Sequence, residues 1–154
     1  MKNPKDISEA ALQALKTAHA VEKAEVSRFL FSAWQEGDIP FAFTHAPLNR
    51  PGRPGKPELL PPNKMPKRGK AGSLANRITL LHALAHIELN AIDLAWDIIL
   101  RFGEMMGAAF VQDWLEVADD EARHFLLLEK RLNALGSFYG ALPAHDGLWQ
   151  AAVD

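Results

Sequence analysis

The sequence contains no cysteine, which excludes disulfide bonds and thiolate metal ligands. It also lacks a run of about 18 to 20 apolar residues, the length that a membrane-spanning helix requires. The first residues, MKNPKDISEAALQALK, have no uninterrupted apolar stretch like that of a signal peptide. These absences predict a cytoplasmic protein without membrane contact. Any metal must be held by His, Asp and Glu, a ligand set that favours iron, manganese or a similar first-row ion.

The sequence also lacks a large excess of either charge, since the net charge of its 154 residues is only −2. This balance gives no reason to expect nucleic acid or anionic lipid as a partner. Hydrophobic residues make up 48% and charged residues 23%, an ordinary globular composition rather than a disordered one. A chain of this length can bury a substantial core, so we expect a single domain over residues 1–154.

One segment departs from this average composition. Between Arg50 and Lys70 lie seven of the 17 basic residues and six of the ten prolines, with Glu58 as the single acid. Because proline removes a backbone donor and opposes helix formation, residues 38–72 are predicted to be an extended strap. A connection of that length is usually functional or disordered. Its basic residues could bind phosphates of RNA or a nucleotide. The favoured interpretation is that they neutralise acidic helices, because no aromatic set for base stacking accompanies them.

The two ends of the chain have weaker signals. An N-terminal helix is expected over residues 6–36, because Asp6 and Glu9 have the spacing of a capping box and Gly37 is a helix stop. Residues 137–154 contain several turn signals and are expected to form a loop.

The clearest signal is a helical hairpin over residues 73–136. Ser73 is a suitable N-cap, and Gly103 is expected to end the first helix near Phe102. The second helix is expected from about Ala108 to Leu135, with Gly136 as its stop, after a tight GEMMG turn. Two such helices form an antiparallel pair with arms of about 40 Å. The predicted fold is therefore all-α, and we expect self-association to complete the helical bundle.

Two acids interrupt the apolar faces of this hairpin. The residues one or two turns from Glu88 are all apolar: Leu81, Leu84, Ala85, Ala91, Ile92 and Ala95. The neighbours of Glu121 are apolar as well: Trp114, Val117, Ala118, Phe125 and Leu128. His124 follows Glu121 by three residues, so both side chains project from one face. A shared cation would explain the three residues, because ferritin-like proteins bind metal with a Glu on one helix and Glu-x-x-His on its neighbour.

The residues alone leave a second interpretation open. Glu88 and Glu121 could bond to buried Arg, Trp or His donors and only fix the register, since structural ion pairs also place carboxylates in protein interiors. Arg77, Arg101 and Arg123 are available for that role. His82 and His86 continue along a different stripe of the first hairpin helix, so they are interpreted as supporting or interface groups rather than ligands. A further set on the N-terminal helix has the residue types for metal but is ordinary for a helix surface: His19, Glu22 and Glu25.

Several longer strings resemble the DUF455 ferritin-like proteins. They are RPGRPGKPELLPPNKMPKR, LLHALAHIELNAIDLAWDIILRF, DWLEVADDEARHFLLLEKRL and YGALPAHDGLW, which together cover most of the chain from Arg50 to Trp149. The resemblance implies that Glu88, Glu121 and His124 are ligands of a dinuclear iron or manganese site. Members of that family continue into two more helices whose Glu and Glu-x-x-His complete the site. The present sequence lacks that half.

Three explanations of the missing half remain open. The chain could be truncated, it could pair with a second copy as a homodimer or higher even oligomer, or it could bind one metal weakly or none. The leading functional expectation is a di-iron or di-manganese protein with oxidase or oxygenase chemistry on an unknown small-molecule or oxygen substrate. The alternatives are an inactive structural helical protein and a phosphate- or RNA-binding module that uses the basic strap.

Overall fold

The computed structural model describes residues 2–66 and 72–153 and confirms the all-α fold. Three long or medium helices and two short ones follow in chain order: α1 (Ile7–Lys16), α2 (Ala20–Gln35), α3 (Leu74–Met106), α4 (Ala108–Ala134) and α5 (Gly147–Val153). Residues Leu59–Leu60 (β1) pair in parallel with Ala144–His145 (β2). Within the described residues, no helix is both long and apolar enough to cross a bilayer.

The N-terminal segment forms two helices, so the prediction of one helix over residues 6–36 is wrong. The chain leaves the helical conformation at Thr17, whose ψ is 108°, and His19 then caps α2 by accepting a hydrogen bond from Glu22 N at 3.4 Å. The hydroxyl of Thr17 bonds back to Gln13 O at 2.7 Å, which completes the end of α1. This break lets α1 pack mainly on α3, while α2 packs on α4.

Helices α3 and α4 form the antiparallel hairpin that the sequence predicts, but the turn lies later than expected. Helix α3 continues through Gly103 to Met106 and ends at Gly107, which has a φ of 99°. A Cβ at Gly103 would lie 2.7 Å from the Phe43 ring and 2.8 Å from Val111. Gly103 therefore permits close packing inside the helix, and Gly107 supplies the positive φ that ends it.

The strap and the C-terminal residues lie together against α3. Parallel pairing of β1 with β2 joins them, and Ala144 N donates to Glu58 O at 2.9 Å. The expected C-terminal loop over 137–154 is only partly correct, because α5 forms there and buries Trp149. The predicted extended segment 38–72 includes residues 67–71, which lie outside the described residues.

A buried ionic cluster ties the strap to α2 and α3. Lys23 and Asp93, both at most 1% exposed, form an ion pair, and Lys23 Nζ also donates to Gly52 O at 3.0 Å. Arg53 Nε lies 3.2 Å from the other oxygen of Asp93, and its guanidinium donates to Asn90 at 2.6 Å. Burial raises the pKa of the Asp93 carboxyl, and the two cations oppose that shift. Breaking such a cluster leaves an uncompensated buried charge, so it fixes the position of the strap.

Candidate metal centre

The hairpin brings together the three residues that the sequence singles out as ligands. Glu88 projects from the middle of α3, and Glu121 and His124 project from consecutive turns of α4. The Nδ1 atom of His124 lies 3.6 Å from Glu88 Oε2 and 3.7 Å from Glu121 Oε2. One ligand atom from each residue lies within 4.8 Å of the others. Antiparallel packing is what aligns these positions, because each acid lies near the middle of its helix.

The cluster lies at the edge of the core rather than inside it. The side chains of Glu88, Glu121 and His124 are 20%, 25% and 41% exposed, respectively. The apolar pattern around Glu88 suggests deeper burial, and part of that pattern is buried: Ala85, Ile92 and Ala95 are inaccessible. Other apolar residues near the cluster face solvent instead: Leu80, Leu84, Ile87 and Leu127 are 38 to 57% exposed. The cluster therefore faces outward, on a surface that this chain alone leaves uncovered.

The arginines that could have satisfied the two acids are engaged elsewhere. Arg101 pairs with Asp97 at 2.8 Å, Arg77 donates to Gly72 O at 3.3 Å, and Arg123 lies 3.5 Å from Asp120. Within residues 2–66 and 72–153, no arginine pairs with Glu88 or Glu121. These contacts give no support to an arginine partner for either acid, whereas His124 lies within ion-pair distance of both.

Glu88 has an unsatisfied oxygen. Its Oε2 atom is buried and has no hydrogen-bond partner in the part of the chain that the structure describes. A buried carboxylate oxygen without a donor is unfavourable, and proteins usually satisfy such atoms. This is also the oxygen that lies 3.6 Å from His124 Nδ1. The arrangement suits a cation, because a cation would satisfy the oxygen that no protein donor reaches.

Two of the separations between ligand atoms are short enough for one first-row metal ion. Two ligand atoms that each lie about 2.1 Å from one ion are at most about 4.2 Å apart. The separations of 3.6 and 3.7 Å from His124 Nδ1 to Glu88 and Glu121 satisfy this limit, and all three ligand atoms lie within 4.8 Å of one another. A set of two carboxylates and one imidazole suits iron, manganese or zinc better than calcium, which prefers six to eight oxygens. One chain, however, supplies only three ligands.

His82 and His86 lie away from this cluster, where they hold the segment that follows α4. His82 Nε2 accepts hydrogen bonds from Gly140 N at 3.0 Å and Leu142 N at 3.4 Å. His86 donates from Nε2 to the carbonyl of His145 at 2.6 Å and accepts from the Tyr139 hydroxyl at 2.7 Å. Burial lowers the pKa of His86 to about 4, so the ring is neutral near pH 7. Both side chains therefore have structural partners.

The other polar candidates are distributed over the surface. His19 caps α2, and Arg28 on α2 pairs with Asp119 on α4 at 3.2 Å. Burial raises the pKa of the Asp119 carboxyl, although the guanidinium of Arg28 opposes the shift. In the strap, Arg50 pairs with Asp146 at 2.7 Å. The sequence does not reveal these pairs, because the partners are separated by 91 and 96 residues along the chain.

Comparison with known proteins places these residues in a family. The family model DUF455, described as a protein of unknown function, matches residues 16–154. An uncharacterized protein of Haemophilus influenzae is 47% identical over 105 residues, which cover 64% of this chain and 36% of that protein. The chain thus spans only about a third of the length of that relative. No solved structure matches. Since the family model covers all of α2 to α5, including the candidate metal ligands, the chain belongs to the DUF455 family.

Proposed function

We propose that the α3–α4 hairpin binds iron or manganese through Glu88, Glu121 and His124. The observation that carries this proposal is the buried Oε2 atom of Glu88, which has no protein donor among the described residues. The imidazole Nδ1 of His124 lies 3.6 Å from that atom. A divalent ion placed among the three side chains would neutralise the two carboxylates and satisfy the unpaired oxygen.

The proposed site is dinuclear and is completed by a second copy of the chain. Ferritin-like dinuclear centres use four carboxylates and two histidines, and one chain supplies two carboxylates and one histidine. A two-fold pair of hairpins would supply the full set. Leu84 precedes Glu88 by one helical turn and Leu127 follows His124 by one turn, and both side chains are exposed and would be buried by that pairing. A homodimer or a higher even oligomer therefore fits both the ligand count and the exposed apolar surface.

The proposed activity is oxidase or oxygenase chemistry on a small molecule. When bound, a pair of iron or manganese ions would supply redox reactivity toward dioxygen. The chain's own residues would hold those ions: Glu88 and Glu121 would balance their charge, and His124 would contribute the nitrogen ligand. Apolar neighbours such as Leu84 would limit the access of water once a second hairpin covers them.

The basic strap gives no reason to propose a nucleic-acid function. Arg53 is buried against Asp93 and Asn90, and Arg50 pairs with Asp146. Two basic residues of the strap thus form contacts within the protein, which favours the interpretation that the strap neutralises acidic groups of the helices. Lys67, Arg68 and Lys70 lie outside the described residues.

The metal assignment can be tested with isosteric variants. Glu121→Gln keeps the size of the side chain but removes its charge, so the affinity for Mn²⁺ or Fe²⁺ should fall at least about tenfold, since even groups that only support metal ligands typically contribute that much. Glu104→Gln makes the same change at an exposed position of α3 and should bind as the unmodified protein does. The measurement is metal content by mass spectrometry after equilibrium dialysis. Equal metal content in the two variants would overturn the assignment and favour the structural alternative.

A further inference from the structure

A cavity of about 330 Å³ lies between α3, the strap and the segment before α5. Helix α3 contributes Asn76, Thr79 and Ile87 among others, and the 3-10 turn of the strap contributes Pro62. The segment before α5 contributes Leu142 and Pro143. Its volume falls at the lower end of the range for small-molecule sites and corresponds to roughly ten non-hydrogen atoms at about 30 Å³ each. This cavity is distinct from the metal ligands, none of which lines it.

The described lining is more apolar than polar. No Asp, Glu, Lys or Arg among the described residues contributes to it. Its apolar residues include prolines, Met65, Ala83 and Leu142. The two buried histidines in the wall are neutral near pH 7, because burial lowers the pKa of both His82 and His86. Among the described lining residues, no carboxylate, lysine or arginine could serve as a counter-ion for a charged ligand, so these residues favour a neutral molecule.

The ring of His82 in this wall has an unused hydrogen. The Nε2 atom of His82 accepts from two backbone amides, Gly140 N and Leu142 N, and it must therefore be unprotonated. In the neutral ring the proton is then on Nδ1. That N–H has no hydrogen-bond partner among residues 2–66 and 72–153, although His82 is only 2% exposed. His86 differs, because Tyr139 and the His145 carbonyl use both of its nitrogens.

We infer that this cavity binds a small, neutral, largely apolar molecule that carries one hydrogen-bond acceptor. The apolar walls provide the burial, and the Nδ1–H of His82 donates to the acceptor of the ligand. Rings of His82 and Tyr139 stack at 5.2 Å between centroids, which holds the donor in a fixed orientation. The inference does not depend on metal binding, since it rests on different residues of α3.

Ligand-observed fluorine NMR tests this inference with two probes of equal size. 4-Fluorobenzamide is neutral and has a carbonyl acceptor, whereas 4-fluorobenzoate has the same outline and a negative charge. The amide should bind the unmodified protein, and the benzoate should bind at least about tenfold more weakly, a difference of about 1.4 kcal/mol. Absence of amide binding, or equal binding of the two probes, would overturn the inference.

Two variants locate the binding in the cavity. Ala83→Leu fills the cavity from α3 and should abolish amide binding, while Ala75→Leu makes the same change at an exposed position of that helix and should leave it unchanged. Met65→Trp fills the cavity from the strap and gives an independent result if Ala83→Leu unfolds the protein. Amide binding that persists in a folded cavity-filling variant would place the probe elsewhere and refute the proposal.

Discussion

Replacing Glu88 with leucine should stabilise the metal-free protein while it removes metal binding. The Glu88 side chain is only 20% exposed, and its Oε2 atom has no hydrogen-bond donor within the described residues. An unsatisfied buried polar group costs about 1–3 kcal/mol, and the partial exposure of this carboxylate favours the lower end of that range. Leucine and glutamate have similar helix propensities, so the backbone contributes little to the difference.

The expected gain in the free energy of unfolding is therefore about 1 kcal/mol in the presence of a chelator. For a chain of this size, that gain corresponds to a rise of roughly 2–4 °C in Tm. Urea denaturation followed by circular dichroism at 222 nm, with excess EDTA, measures the difference directly. A loss of about 1 kcal/mol or more would show that Glu88 has a stabilising partner in the protein and would refute the argument from the unpaired oxygen.

Asp93 provides the matched comparison, because it is also a buried acid of α3 but forms ion pairs with two cations, Lys23 and Arg53. Asp93→Asn removes the charge that Lys23 and Arg53 require, and both cations would then be left in the interior. The expected loss is about 3–5 kcal/mol in the same denaturation experiment. The two substitutions should thus have opposite signs. A loss of stability for both would mean that burial alone, and not the presence of a partner, determines the response.

Two further results are expected from the fold. The pKa of His86, about 4, is below the ordinary value of 6.5, so the unfolded state binds more protons between these pH values. The contribution of neutral His86 to the free energy of unfolding should consequently be fully present above pH 6.5. It should fall by up to about 3 kcal/mol as the pH is lowered from 6.5 through 4. In urea denaturation, His86→Gln should remove most of that pH dependence. Gly103→Ala should lower the free energy of unfolding by about 1–2 kcal/mol, because a Cβ would approach the Phe43 ring and Val111 within 2.8 Å. An unchanged midpoint would contradict the close packing at that glycine.

Local patterns in the sequence predict the hairpin and the proximity of Glu88, Glu121 and His124 well. Helical spacing places Glu121 and His124 on one face, and the tight turn between α3 and α4 aligns Glu88 opposite them. These features depend on neighbouring residues and on standard helix geometry. Predictions from a single residue are less reliable. Glycine often ends a helix, but Gly103 lies inside α3, where it permits close packing. The break at Thr17 depends on α1 and α2 packing against different helices.

Long-range pairs are what the sequence does not predict. Lys23 and Asp93 are 70 residues apart, and nothing in the spacing of either residue identifies the other as its partner. Arg53 looks like one more basic residue of the strap, although it is buried in that cluster. The burial of Glu88 is also not predicted by local sequence. The apolar residues around it on α3 indicate a buried face, but they do not show which part of that face a second copy would cover.

Native mass spectrometry of the protein from cells supplemented with iron and manganese tests the central claim most directly, since one spectrum reports subunit number and bound metal together. The account predicts a dimer or larger even oligomer with two metal ions for each pair of chains, and loss of those ions in Glu121→Gln. A metal-free protein, or one whose ions remain bound in that variant, would contradict it.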